Sequence, residues 1–218
     1  AREALSAGYR TLKLKIGDRD LEMEVERTRA AAAPLENRPA LRLDANRKLD
    51  FETAVAFVGA IDERPIAYLE EPVSDPDRFA DLAARTELPL ALDETTREVE
   101  PTAIGDYGAS ALVLKPTLLG GLARTEAYVR SARARHVTAV LTSSFESGLG
   151  HRAIGWLVQG WCLNDRASGL STYDRFETDL LDPPLRLERG RLYGLERFEP
   201  GDEVRTDRID RLTDTGSE

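Results

Sequence analysis

The chain has 218 residues, of which 41% are hydrophobic and 32% charged, a composition typical of one globular domain with a well-buried core. Its 30 basic and 39 acidic residues give a net charge of −9 without a cluster of Lys and Arg, which argues against nucleic-acid binding. A single cysteine excludes an internal disulfide framework, and no apolar run reaches the roughly 20 residues of a membrane helix. We therefore expect a cytoplasmic protein with neither a membrane nor a nucleic-acid partner.

Apolar strand-like stretches and helical patterns alternate along the chain. Six stretches predict strands, and a weaker seventh lies near residues 169–173. The six strands are predicted at residues 11–16, 40–44, 66–70, 88–93, 111–115 and 138–142. Helical patterns, the fourth of them weak, occupy residues 21–33, 51–63, 77–85, 101–107, 121–135 and 150–159. Repeated strand–helix units imply parallel strands joined by right-handed crossovers, in an α/β barrel or a doubly wound sheet.

The residues at the strand ends favour the barrel. Each of the six predicted strands ends at or near a polar or charged residue: Lys15, Asp44, Glu70, Asp93, Lys115 and Thr142. Because side chains alternate along a strand, these residues share one face and the neighbouring leucines take the other. In a barrel the leucines pack on the outer helices, and the charged face points inward at the carboxyl-terminal rim. A doubly wound sheet instead directs its strand ends to one crevice.

Three carboxylates come from three consecutive strands, at Asp44, Glu70 and Asp93. Held close together they would repel one another unless a cation neutralised them. Oxygen ligands on rigid strand ends suit Mg²⁺, with Mn²⁺ as a second possibility, and the absence of His and Cys at these positions argues against zinc. The alternative is that each carboxylate caps a helix or pairs with an arginine such as Arg42.

Only four of the 30 basic residues are lysines. A lysine can act as a base at neutral pH, whereas an arginine cannot. Lys15 and Lys115 flank the three carboxylates, and the charge of Lys13 would favour the neutral, basic form of Lys15. Lys48 follows the second strand and is interpreted as a solvated loop residue. The alternative is that the three strand lysines form structural salt bridges with the carboxylates.

These motifs resemble those of the enolase superfamily, and within it most closely those of the o-succinylbenzoate synthases. The resemblance extends over residues 8–173 and rests on KLK (13–15), LDAN (43–46), YLEEP (68–72), LDE (92–94), VLKP (113–116) and SSFESGLG (143–150). It implies that the three carboxylates are the metal ligands, the first Glu of LEEP, Glu70, being the ligand and Glu71 lying behind it. It also implies that Lys15 and Lys115 are catalytic, and that Lys13 is the first lysine of the KxK pair.

The resemblance implies the removal of a proton next to a carboxylate, with the metal stabilising the enediolate. In an o-succinylbenzoate synthase this step is the syn dehydration of 2-succinyl-6-hydroxy-2,4-cyclohexadiene-1-carboxylate, in menaquinone or phylloquinone biosynthesis. Lys15 would be the base, and Lys115 would stabilise the anion. One alternative is an N-acylamino acid racemase or dipeptide epimerase of the same superfamily. Others are a non-catalytic structural barrel and, more weakly, a Schiff-base aldolase using Lys115.

The family also carries an N-terminal capping domain and a first barrel strand, and we expect to find neither in these residues. We therefore expect a TIM-like (β/α)7β barrel that lacks both, beginning within the first barrel helix. Residues 1–174 are predicted to form the barrel domain, and residues 175–218 a C-terminal segment that returns toward the capping domain. That segment should contain a short hairpin at residues 185–195 and a loosely ordered acidic tail from residue 199.

Overall fold

The computed structural model describes residues 1–35, 40–61, 65–163, 166–175, 177–195 and 203–205. Within these residues one sheet contains six strands, which pair in parallel and in chain order. They are β1 (Leu12–Lys15), β2 (Leu41–Asp44), β3 (Ile66–Glu70), β4 (Leu90–Leu92), β5 (Ala111–Leu114) and β6 (Thr138–Leu141). All six predicted strands are confirmed, and their sequential parallel order fits a partial TIM-like barrel.

Helices connect the strands. They are α1 (Arg2–Ser6), α2 (Leu21–Ala32), α3 (Phe51–Ala60), α4 (Phe79–Ala83), α5 (Thr95–Glu98), α6 (Leu122–Ala134) and α7 (Gly148–Gly160). Two of them begin at an aspartate that caps the helix: Asp20 accepts from the Met23 amide and Asp50 from the Thr53 amide, each at 2.9 Å. No described helix has both the length and the apolar character needed to cross a membrane.

Three predicted elements differ in the structure. The helix predicted at residues 77–85 is shorter, because Pro76 opens a 3-10 turn (Pro76–Arg78) before α4. Residues Pro101–Tyr107 form a 3-10 helix rather than an α-helix. The weak seventh strand is reduced to one parallel bridge between Thr142 and Gly169, because the chain turns at once into a 3-10 helix at Ser171–Arg175.

The alternation of side chains along the strands divides the core as expected. Leucines on one face, including Leu43, Leu69 and Leu92, are fully buried against the helices with Phe57 and Tyr128. The opposite face carries a smaller interior cluster of Tyr68, Ala91, Ala111, Val113 and Val140. The outer layer therefore holds most of the apolar core, and the inner face is left for the polar residues at the rim.

The C-terminal part contains two small antiparallel ladders. β7 (Leu181–Asp182) pairs with β10 (Glu203–Val204), and β8 (Arg186–Glu188) pairs with β9 (Arg191–Tyr193). The second ladder is the predicted hairpin, and its turn residues Arg189 and Gly190 both have positive φ angles. Apart from residues 203–205, the predicted acidic tail lies outside the described residues.

Candidate active site at the carboxyl ends of the strands

The strand register brings the first three predicted site positions into one row. Lys15 pairs with Asp44 across β1 and β2, and Asp44 pairs with Glu70 across β2 and β3. Two residues earlier, Lys13 pairs with Arg42 and Arg42 with Tyr68. Both lysines of β1 therefore lie on the same face as Asp44 and Glu70. Lys15 is in the row of these two carboxylates, and Lys13 is in the row before it.

Lys13 bridges the first two carboxylates. Its Nζ lies 2.8 Å from Asp44 Oδ2 and 2.5 Å from Glu70 Oε2. Both carboxylates are about 1% exposed. The ammonium group thus compensates two buried negative charges that come from adjacent strands.

Lys15 lies farther out, at the end of β1. Its Nζ donates to Asn46 Oδ1 at 2.6 Å and is 3.6 Å from Asp44 Oδ2, and its side chain is 65% exposed. The side-chain Nδ2 of Asn46 donates to Glu94 Oε1 at 3.1 Å. Because a carboxylate only accepts and an ammonium only donates, these two contacts fix the orientation of the Asn46 amide.

The remaining two site residues form their own pair. Asp93 follows β4 and is buried, and its Oδ2 accepts from Nζ of Lys115, which follows β5. The structure therefore brings all six predicted site residues to the same edge of the sheet. The salt bridges of the alternative interpretation are also present: Lys13 and Lys115 pair closely with the carboxylates, and Lys15 forms a longer ion pair with Asp44.

Charge is unevenly compensated across the three carboxylates. Burial raises the pKa of Glu70 to about 7; Lys13 opposes the rise, whereas the charges of Asp44 and Asp93 add to it. Burial also raises the pKa of Asp93, against the opposing charge of Lys115. For Asp44, Lys13 and Lys15 outweigh the effect of burial, and the pKa is lowered. Burial alone would lower the pKa of Lys13, but Glu70 and Asp44 outweigh it and raise that pKa.

The chemistry of the three carboxylates suits a divalent cation, although their oxygens are engaged by lysines. Across the described part of the chain, no group of three or more His, Cys, Asp or Glu side chains is placed so that it could hold a metal ion. The donor set consists only of carboxylate oxygens, which Mg²⁺ and Mn²⁺ prefer. Burial is the largest cause of the raised pKa of Glu70, and a nearby cation would lower that pKa.

Two arginines and a glutamate that the sequence did not single out as site residues support the rim. Glu24 of α2 accepts from the backbone amides of residues 17, 18 and 19 at 2.9, 3.1 and 3.1 Å. Arg27 donates to Glu24 at 2.6 Å and to the carbonyl of Lys15 at 3.2 Å.

Arg42 pairs with no described carboxylate; it donates to the Ala167 carbonyl at 2.6 Å and lies 5.2 Å from the centre of the Tyr68 ring. Lys48, predicted as a loop residue, pairs with Asp18 at 2.6 Å.

Comparison with known proteins shows a family match and similar curated proteins. The family described as Enolase C-terminal domain-like matches residues 1–202. The chain is similar to the o-succinylbenzoate synthase of Pectobacterium atrosepticum, with 36% identity over 144 residues, which cover 65% of this chain and 44% of that protein. It is equally similar to the o-succinylbenzoate synthase of Escherichia coli O6:K15:H31, with 36% identity over 137 residues, or 62% of this chain and 42% of that protein. The matched part therefore spans less than half of the length of these relatives.

Solved structures share the fold. Muconate cycloisomerase from Pseudomonas fluorescens superposes with a TM-score of 0.79 at 21% identity, covering 95% of this chain and 59% of the other. MenC from Desulfotalea psychrophila superposes with a TM-score of 0.74 at 28% identity, covering 88% and 54%. The L-Ala-D/L-Glu epimerase from Bacillus subtilis gives a TM-score of 0.72 at 21% identity, over 88% and 55%.

Proposed function

The chain belongs to the Enolase C-terminal domain-like family, and from that premise we propose that it is a metal-dependent lyase that acts on a carboxylate. The reaction is the syn dehydration of 2-succinyl-6-hydroxy-2,4-cyclohexadiene-1-carboxylate to o-succinylbenzoate. The observation that carries this proposal is the placement of Lys15 and Lys115 on either side of three buried carboxylates at one edge of the sheet. The names of the similar curated proteins support the choice of substrate.

The residues take distinct roles in this reaction. Asp44, Glu70 and Asp93 would hold Mg²⁺ or Mn²⁺, which supplies Lewis-acid stabilisation of the substrate carboxylate. Lys15, exposed at the end of β1, takes the proton from the carbon next to that carboxylate. The same ammonium then delivers a proton to the departing hydroxyl on the same face, so that water leaves and the ring becomes aromatic.

Lys115 and Lys13 act through their charge. Lys115 lies beside Asp93 and stabilises the negative charge that develops on the substrate carboxylate. Lys13 does not move a proton in this scheme; it holds Asp44 and Glu70 together across the first two strand pairs.

We also propose a domain division in which residues 1–174 form the barrel and residues 175–218 form a separate C-terminal segment. Within that segment, Gly194 accepts from Arg152 of α7 at 3.0 Å.

A second candidate, an N-acylamino acid racemase or dipeptide epimerase, is favoured by one observation. Lys15 and Lys115 come from opposite ends of the row of carboxylates, on β1 and after β5, as a two-base mechanism requires. The two reactions differ in what Lys115 must do. A dehydratase needs only its charge, whereas a racemase needs it to exchange a proton with the substrate.

Charge-conserving variants separate the two functions. With Mg²⁺ present, the full-length protein should convert the cyclohexadiene substrate to o-succinylbenzoate, followed by ultraviolet absorbance. Lys15→Arg should lose several orders of magnitude in turnover, because arginine is no base at neutral pH. Lys115→Arg should retain measurable dehydration, and Lys48→Arg, outside the site, should match the wild type.

The opposing result is equally specific. If dehydration is absent, and an N-succinylamino acid incorporates deuterium from solvent in a reaction that both Lys15→Arg and Lys115→Arg abolish, the racemase assignment replaces the dehydratase. If neither substrate reacts in the wild-type protein, the rim charges are structural and both assignments fail.

A further inference from the structure

Arg47 lies outside the six predicted site residues, on the loop that follows β2. Its guanidinium donates to Glu98 through Nη1 and Nη2, each at 2.7 Å, to Thr95 Oγ1 at 2.8 Å and to Glu71 Oε2 at 3.1 Å. Its backbone amide donates to the Glu71 carbonyl at 2.8 Å. One side chain from the loop after β2 is thus tied both to the end of β3 and to α5.

Glu71 continues this connection to the fourth strand. Its carboxylate is 1% exposed, and its Oε1 accepts from the backbone amides of Asp93 and Thr95, each at 2.8 Å. Its Oε2 accepts from the Thr95 hydroxyl at 3.0 Å and from Arg47. Because β4 ends at Leu92, the amide of Asp93 lies just beyond the strand, and Glu71 supplies its acceptor.

The backbone at these residues provides an independent observation. Arg47 and Glu71 have φ angles of 60° and 38°, in the left-handed region that is unfavourable for a residue other than glycine. Such conformations persist where surrounding contacts hold them in place. Each of these two residues lies within three positions of a carboxylate assigned to the metal, Asp44 or Glu70.

From these contacts we infer that Arg47 and Glu71 are positioning residues that place Asp93 relative to Asp44 and Glu70. Glu71 fixes the path by which the chain leaves β4, and Arg47 fixes the carboxylate of Glu71. Neither residue needs to touch substrate. The inference rests on the proposed function for its effect on metal binding, whereas its effect on the backbone of Asp93 stands by itself.

The matched comparison is Arg47→Lys against Arg78→Lys. A lysine keeps the charge of Arg47 but cannot reach Glu71, Thr95 and Glu98 together, because it presents one ammonium instead of a planar fork. Arg78 is a suitable control, since it pairs with Asp81 at 2.9 Å and covers the Phe51 ring, and it makes no described contact with Glu71, Asp93 or Thr95. Glu71→Gln provides a second variant that removes the charge and keeps the shape.

Two measurements on the full chain test the inference. Mn²⁺ alone, followed by titration calorimetry, should bind at least about tenfold more weakly to Arg47→Lys and Glu71→Gln, and unchanged to Arg78→Lys. Amide hydrogen exchange should accelerate at Asp93 and Thr95 in the first two variants but not in β5 or β6. A purely structural loss would instead raise exchange across the whole sheet.

Each outcome decides between the alternatives. Unchanged Mn²⁺ affinity together with unchanged exchange at Asp93 in a folded Arg47→Lys protein overturns the inference. If Arg47→Lys does not fold, Glu71→Gln gives the same readouts. If the wild-type protein binds no Mn²⁺, the proposed function fails, and the exchange rate of the Asp93 amide alone decides whether Arg47 and Glu71 position this residue.

Discussion

Replacing Glu70 by glutamine should make the metal-free protein relatively more stable as the pH rises. Burial raises the pKa of Glu70 from its ordinary value of 4.5 to about 7. Between these values the folded chain holds a proton that the unfolded chain has released, so the stability of the wild-type protein falls with increasing pH. A displacement of this size corresponds to about 3 kcal/mol at most, because each pKa unit is worth about 1.4 kcal/mol.

The comparison between the two proteins removes the titration of this group. Glutamine does not titrate, so the difference in free energy of unfolding should shift in favour of Glu70→Gln by up to about 3 kcal/mol across the window. Asp44 does not contribute there, because its pKa is lowered from 3.8 and its titration lies below the window. Asp93 and Glu71 also have raised pKa values and are present in both proteins. Because the charges of Glu70 and Asp93 repel each other, Glu70→Gln also eases the ionisation of Asp93, and this moves the difference in the same direction.

Urea unfolding followed by circular dichroism, with a chelator present, measures the difference at steps from below pH 4.5 to above pH 7. A difference that stays constant across the window, or that moves in favour of the wild type as the pH rises, would refute the reasoning. Added Mg²⁺ should stabilise the wild-type protein at the upper end more than it stabilises Glu70→Gln, because the variant lacks one of the three proposed carboxylate ligands.

Three further variants test the site and its support. Asp44→Asn should weaken Mg²⁺ binding in titration calorimetry; equal affinity in both proteins would remove Asp44 from the proposed ligands. Glu24→Ala should cost about 2 kcal/mol in urea unfolding, since it leaves the amides of residues 17–19 without their acceptor, and a loss within experimental error would contradict that role. Tyr128→Phe should cost about 1 kcal/mol in the same assay, because the buried hydroxyl donates to the Thr96 carbonyl at 2.6 Å; an unchanged midpoint would show that this bond contributes nothing.

The strand ends could be predicted from the sequence because the alternation of side chains decides which residues share a face. That rule places Lys15, Asp44 and Glu70 on one face, and the parallel register then brings them into one row. The side-chain contacts could not be predicted in the same way. Lys13 bridges Asp44 and Glu70 through the ends of flexible side chains, whose directions depend on neighbours from three strands.

The sequence gives weaker signals for short elements and distant partners. Helix α5 has four residues, which is too short for a helical period to be detected. The network of Arg47 joins residues that lie 24 to 51 positions away in the chain. A positive φ angle at an arginine or a glutamate has no sequence signature, because these residue types seldom adopt it. The framework of the site is therefore readable from periodicity, whereas its supporting contacts require the folded chain.

The choice between lysine and arginine follows the geometry of each position. Four of the 30 basic residues are lysines, and three of those four lie at the carboxyl edge of the sheet. Lys13 places one compact ammonium between two carboxylates that converge, whereas Arg47 uses a planar fork to join three separate acceptors. Charge conservation alone therefore does not preserve function at either kind of position. Lys15→Arg would remove the proposed base, and Arg47→Lys would remove the hydrogen bonds that are proposed to position Asp93. Two substitutions that leave the net charge at −9 should therefore impair the same site for different reasons.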